Sequence, residues 1–178
     1  MRLILVRHPK PLCAKGLCYG RLDIPCEPEA LDLAAERLAK LAVDSFVVSS
    51  PAARALSLAR RLSNDVFVEP RLQELDFGDW EGRLWQELGR DAIDAWRAGL
   101  PASSPPHGES LDAMSARLQE WLADLSREND VLAITHAGPI RILRALLGAK
   151  PILTYFDQSV PFAEPLPLQI EAPSSSCA

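Results

Sequence analysis

Three short apolar runs in this chain each stop at a junction that carries a cation or an imidazole. Leu3-Ile4-Leu5-Val6 runs into Arg7-His8, Phe46-Val47-Val48 runs through Ser49-Ser50-Pro51 toward Arg54, and Val131-Leu132-Ala133-Ile134-Thr135 runs into His136. Short apolar runs bounded by polar residues or proline have the pattern of buried strands. Between them lie stretches of helical period. Residues 28–42 carry Leu31, Ala34, Ala35, Leu38 and Leu41 on one face; residues 109–127 space Leu111, Met114, Leu118, the pair Trp121/Leu122 and Leu125 three or four apart. Strands alternating with helices specify an α/β protein: a three-layer α/β/α sandwich with a mainly parallel central sheet. Open sheets of this kind bind ligands at the carboxyl ends of their strands. The fold itself therefore directs Arg7, His8, Arg54 and His136 toward one anion-binding site.

The same signals assign the remaining segments. Residues 9–28 form a long loop punctuated by Pro9, Pro11, Gly16, Gly20, Pro25 and Pro28, and long loops in compact domains are often functional. The second strand covers 46–50. Ser50 reads as an N-cap and Pro51 as the first position of a helix running to about Leu62. Val66-Phe67-Val68 is a third strand. Residues 74–108 break the strand–helix rhythm, with Trp80, Trp85 and Trp96 followed by a Pro/Ser/Gly-rich stretch. They are expected to lie over the sheet and active site with one or two short helices. A strand at 131–135, a helix from Pro139 to Leu147 and late strands at 152–156 and 166–170 complete the chain. With 178 residues and 48% hydrophobic content, one domain spanning 1–172 is expected, with a frayed tail at 173–178.

Charge and composition narrow the partners. A net charge of −5 leaves no general basic footprint for nucleic acid. No apolar run approaches the ~18 residues of a membrane span, and the apolar N-terminus is too short for a signal peptide, so a cytoplasmic protein is expected. Cys13, Cys18, Cys26 and Cys177 fit no zinc spacing and are expected to be structural or incidental.

The chemistry rests on the strand ends. A nucleophilic imidazole needs one bare nitrogen aimed at substrate and the other protonated and held. His8 sits at a rigid strand end, Pro9 biases it toward extended backbone, and the Pro9 carbonyl is available to accept the proton on its second ring nitrogen. Arg7 and Arg54 suit bidentate contact with phosphate oxygens, and free N–H groups at the helix start beside Arg54 favour an anion. His136, in Thr135-His136-Ala137-Gly138-Pro139, is placed to donate to phosphoryl oxygens as charge develops. A leaving alkoxide needs a proton, which a carboxylic acid can supply; Glu74, Asp76, Asp79 and Glu81 lie close together, and residue type alone does not choose among them. His107, in a Pro/Gly loop, is given no direct role.

Taken together, these elements resemble the histidine phosphatase superfamily, with its phosphoglycerate mutase-like fold. The family's Arg-His-Gly motif matches Arg7-His8, with Pro9 in place of glycine. Ser50-Pro51-Ala52-Ala53-Arg54-Ala55 matches its Ser-Pro-x-x-Arg-Ala element, and Glu74 through Gly82 match Glu-x-x-x-Gly-x-x-Glu-Gly. Gly108-Glu109-Ser110 and Thr135-His136 complete the series, in family order, over roughly residues 1–150. The resemblance implies that His8 becomes phosphorylated, that Arg7, Arg54 and His136 hold the phosphoryl group, and that Glu74 protonates the leaving group and then activates water. Glu81 would organise the loop, and no metal or other cofactor is implied. The loop Gly16-Leu17-Cys18-Tyr19-Gly20-Arg21-Leu22-Asp23-Ile24-Pro25 and the run His136 to Arg141 further resemble α-ribazole phosphatases of cobalamin synthesis, which dephosphorylate α-ribazole 5′-phosphate or its corrinoid conjugate. On this resemblance the partner is a small phosphate ester, and Arg21 and Tyr19 are expected to contact it. Broad-specificity phosphatase, phosphoglycerate mutase-like enzyme, protein phosphohistidine phosphatase and inactive binding module are the alternatives. The sequence does not specify an oligomeric state.

Overall fold

Alternation along each strand decides which helices it packs against. In the computed structural model, which describes residues 1–126 and 128–170, five strands form one sheet: β1 (Arg2–Arg7), β2 (Ser45–Ser49), β3 (Val66–Val68), β4 (Asp130–Thr135) and β5 (Pro165–Gln169). The strand order is β3-β2-β4-β1-β5, with β5 antiparallel to β1 and the other pairings parallel. Ile4, Val6, Leu132 and Ile134 face α1 (Pro28–Val43) and α2 (Ala53–Leu62), where Leu31, Leu38 and Leu58 are buried with them. Their neighbours Leu3, Leu5, Val131 and Ala133 point the other way. They pack with Met114 and Leu118 of α4 (Leu111–Asp124) and Ile140 and Leu143 of α5 (Ala137–Leu147). The expected three-layer α/β/α sandwich is the observed architecture.

Topology places a crevice at the strand ends. The connection leaving β1 runs through α1 toward β2, on one side of the sheet. The connection leaving its neighbour β4 runs through α5 toward β5, on the other. Adjacent strands whose connections depart in opposite directions make a switch point, where ligands bind. His8 follows β1 and His136 follows β4, so both imidazoles stand at that crevice.

Several boundaries differ from those read in the sequence. Helix α2 begins at Ala53, not Pro51; Ala52 occupies the cap position and Ser50 does not cap the helix. The Ala53 N–H is taken by Asp23 Oδ1 at 2.8 Å, so that amide is not free for an anion. Helix α5 starts at Ala137, two residues before Pro139. Residues 152–155 form a 3-10 turn rather than a strand and pack as a short cap on α5. β5 forms with Pro165 and Pro167 inside it, tolerated because it is an edge strand. Residues 74–108 contain 3-10 turns at Gly78–Trp80 and Trp85–Glu87 and helix α3 (Arg90–Ala98). Trp80 and Trp96 are buried there, edge to face at 5.6 Å. Cys18 and Cys26 are buried free thiols. Cys177, residue 127 of the expected 109–127 helix and the expected tail lie outside the described residues. No helix among the described residues is long and apolar enough to cross a membrane.

Candidate active site

His8 is buried, with its backbone N–H donating to the Thr135 carbonyl at 3.0 Å. That bond ties the strand end to its neighbour. Nδ1 lies 2.6 Å from the Pro9 carbonyl oxygen. A carbonyl accepts only, so Nδ1 carries the proton and Nε2 is left bare. Burial, then the charge of Arg54, hold the imidazole's pKa down to about 3, against the partly offsetting Pro9 bond. His8 is therefore neutral near pH 7, the state a nucleophile needs.

His136 stands beside it, ring centroids 5.1 Å apart. It is fully buried, and burial, followed by His8 and Arg54, keeps it well below the ordinary histidine range. Nε2 is 2.8 Å from Ser50 Oγ, while Nδ1 has no hydrogen-bond partner among the described residues. With the Ser50 hydroxyl donating to Nε2, Nδ1 carries an uncommitted proton.

Two guanidiniums are fixed by backbone rather than by carboxylates. Arg7 donates from Nη1 to the Val160 carbonyl at 2.8 Å and lies 3.7 Å over the Phe162 ring. Arg54, 1% exposed, donates to the Leu22 carbonyl at 2.8 Å and to the Gly20 carbonyl. Arg7 Nε and Arg54 Nε are buried with no partner among the described residues. A buried donor left unpaired costs free energy, and these donors, with His136 Nδ1, form a set suited to an oxyanion. Burial lowers the pKa of Arg54, and the charge of Glu74 opposes that shift.

Glu74 faces the same crevice. Its carboxylate accepts from the Gly138 N–H at 3.0 Å (Oε1) and 3.2 Å (Oε2), and from the Leu75 N–H at 3.0 Å. A Cβ at position 138 would lie 2.1 Å from Glu74 Oε1, so glycine is required for the approach. The neighbouring acids are occupied elsewhere. Glu81 accepts from the backbone N–H groups of Arg21, Leu22 and Phe77. Asp76 accepts from the Gly78 N–H at 2.9 Å, and Asp79 pairs with exposed His107 at 2.9 Å.

The structure thus brings Arg7, His8, Arg54, Glu74 and His136 to one crevice. Tyr19 joins them, 5.4 Å from the Arg54 guanidinium; burial raises its phenol and keeps it neutral. Arg21 does not join them in the same sense: its guanidinium is turned to Asp76 at 3.4 Å and Glu109 at 3.5 Å. Sequence reasoning missed Ser50 as a partner of His136, Phe162 as the floor under Arg7, and Asp23 at the start of α2. A cavity of about 390 Å³ opens beside Glu74 and Gly138, walled by Phe77, Trp85, Trp96 and Phe156, with Arg141 among its lining residues.

Comparison with known proteins places this geometry in a family. Residues 3–163 match the model of the histidine phosphatase superfamily, branch 1. The chain belongs to that superfamily. Its activity class is that of a phosphatase, a phosphoric monoester hydrolase. An adenosylcobalamin/alpha-ribazole phosphatase of Escherichia coli K12 is 30% identical over 85% of this chain and 81% of its own. A Hydrogenobacter thermophilus protein whose name includes phosphoserine phosphatase is 34% identical over 82% of this chain and 78% of its own. The crystal structure of the alpha-ribazole phosphatase from Shigella flexneri superposes with a TM-score of 0.85 at 28% identity, covering 96% of this chain and 91% of that one. This histidine phosphatase fold accounts for the phosphoglycerate mutase-like architecture expected from the motifs.

Proposed function

We propose that the protein is a metal-independent phosphomonoesterase that works through a phosphohistidine on His8, with α-ribazole 5′-phosphate or its corrinoid conjugate as substrate. Residues 1–172 act as one domain in a cytoplasmic setting, with 74–108 as its roof. The observation that carries the mechanism is the His8 Nδ1 contact with the Pro9 carbonyl at 2.6 Å, which leaves Nε2 bare in a pocket of unpaired cationic donors. Nε2 attacks phosphorus and the phosphorus–oxygen ester bond breaks. Glu74 gives its proton to the leaving oxygen. Arg7, Arg54 and the His136 Nδ1–H hold the three non-bridging oxygens. In the second half Glu74 takes a proton from water, water attacks phosphorus, and the nitrogen–phosphorus bond breaks to release phosphate. The Arg7 and Arg54 guanidiniums supply the positive field that a metal ion supplies in other phosphatases, and the neutral His136 adds an N–H donor.

The substrate reading is supported by the cavity beside Glu74. Its Phe77, Trp85, Trp96 and Phe156 walls suit a flat aromatic base attached to the leaving oxygen, and Tyr19 borders the phosphate side. A second reading is favoured by Arg97 and Arg141 in the same lining and by the phosphoserine phosphatase name of one relative: broad activity on small phosphate esters bearing a carboxylate, 3-phosphoglycerate among them. Specificity constants in EDTA for α-ribazole 5′-phosphate, phosphoserine, 3-phosphoglycerate and an aryl phosphate decide between them. A preference of at least about 100-fold for α-ribazole 5′-phosphate, reduced in Trp96→Ala more than activity on phosphoserine, is expected; about 100-fold is 2.7 kcal/mol of discrimination. Preference for the carboxylates selects the second reading.

A further inference from the structure

Glu74 enters the crevice on an irregular segment, between the 3-10 turns Pro70–Leu72 and Gly78–Trp80. Such a segment has no ladder of its own to fix its height. Its carbonyls are instead collected by one side chain from α4. Arg117 donates to the Arg71 carbonyl, and from Nη2 to the Gln73 carbonyl at 2.9 Å and the Glu74 carbonyl at 3.3 Å. Glu109 holds that guanidinium in turn, accepting from Nε at 2.7 Å and from Nη2 at 2.9 Å. Both side chains are largely buried, 15% and 11% exposed. Glu109 Oε2, the oxygen that accepts from Arg117 Nη2, also meets the Arg21 guanidinium at 3.5 Å. Arg21 lies between Gly20 and Leu22, whose carbonyls fix Arg54. The chain of contacts Arg54, loop 20–22, Glu109, Arg117 and Glu74 thus links the phosphate half of the crevice to the acid half.

We propose that Arg117, held by Glu109, is a positioning residue for the acid: it sets where the Glu74 carboxylate stands relative to the leaving oxygen. The proposal rests on the reading of Glu74 as proton donor. A planar guanidinium spreads five donors over three nitrogens, and Arg117 uses all three nitrogens here; an ammonium has three donors on one nitrogen and cannot span the same set. Misplacement of a reacting group by about 1 Å costs on the order of 100-fold in rate. The loss falls on the step that needs the acid.

Leaving-group dependence reads that step and separates positioning from general loss of structure. An alkyl phosphate needs a proton at its leaving oxygen, and an activated aryl phosphate does not. Specificity constants on both are measured for the unmodified protein, Glu74→Gln, Arg117→Lys and Glu109→Gln, each with a thermal melt. Glu74→Gln is expected to lose at least about 100-fold on the alkyl ester and under about 10-fold on the aryl ester. Arg117→Lys and Glu109→Gln are expected to lose roughly 10-fold on the alkyl ester and about 2-fold on the aryl ester. Equal losses on both esters in a folded Arg117→Lys, with the Glu74→Gln split intact, overturn the positioning role and leave the acid in place. No split in Glu74→Gln overturns the acid assignment itself. Glu109→Gln keeps the carboxylate's shape, so it carries the test where Arg117→Lys melts below the assay temperature.

Discussion

At the scale of single residues, the site depends on a few atoms that have no alternative partner. His8 and His136 are held neutral by burial, whereas both titrate near their ordinary range in the unfolded chain. Both folded pKa values are depressed, that of His8 to about 3, so below about 6.5 the unfolded state binds more protons. Stability therefore is intact above pH 6.5 and falls as pH drops below it; for His8 the slope is about 1.4 kcal/mol per pH unit down to about pH 3, and His136 adds a loss of the same sign. Urea unfolding from pH 7 to pH 4 is expected to show His8→Gln with a shallower loss than the unmodified protein. An identical slope would mean His8 is not buried neutral. Gly138 gives a second test. Its Cβ would lie 2.1 Å from Glu74 Oε1, so Gly138→Ala is expected to displace the acid and lower turnover on alkyl phosphates by roughly 100-fold. The fold should tolerate alanine at the second helical position of α5; a normal rate would show that Glu74 does not need this seat.

At the scale of elements, strand ends were legible and long-range supports were not. Leu3–Val6 and Val131–Ile134 announced themselves as apolar runs, and the residues just after them inherited their direction. The excursion was legible only as a break in rhythm, because its order comes from aromatic contacts such as Phe77 with Trp85 at 5.4 Å rather than from periodicity. Ser50 and Pro51 have the local pattern of a cap and first turn, yet α2 starts at Ala53. Ser50 instead turns its hydroxyl to His136, 86 residues away in sequence, and the helix begins where Asp23 can reach it. Arg117 carried no local signal, since its partners are carbonyls more than 40 residues away and the carboxylate of Glu109, eight residues back. Glu81 was legible as a loop organiser, and its carboxylate does gather three backbone N–H groups from two segments. Glu81→Ala is expected to destabilise the protein by about 1–3 kcal/mol. It should also weaken inorganic phosphate binding, because Arg54 hangs on the Gly20 and Leu22 carbonyls of the released loop. Isothermal titration with phosphate checks this; unchanged affinity would detach the loop from the anion site.

For the whole molecule, function follows from where connections leave the sheet. β1 and β4 are neighbours with departures in opposite directions, and this opens the crevice that the two histidines share. Both faces of the central strands β1 and β4 are buried, so their ends are held by packing remote from the chemistry. Leu118, fully buried on α4, is expected on truncation to alanine to cost roughly 2–5 kcal/mol of stability. At temperatures where the variant stays folded, its specificity constants should stay near those of the unmodified protein. A selective loss on alkyl esters would instead show that α4 transmits its packing to Arg117 and Glu74. The central claim is that the phosphoryl group passes through His8. Rapid quenching with labelled substrate, followed by peptide mapping under alkaline conditions that preserve phosphohistidine, tests it most directly. An adduct on His8 Nε2 that forms and decays at the rate of turnover, and is missing in His8→Ala, is the expected result. Turnover with no adduct, or an adduct on another residue, would contradict it.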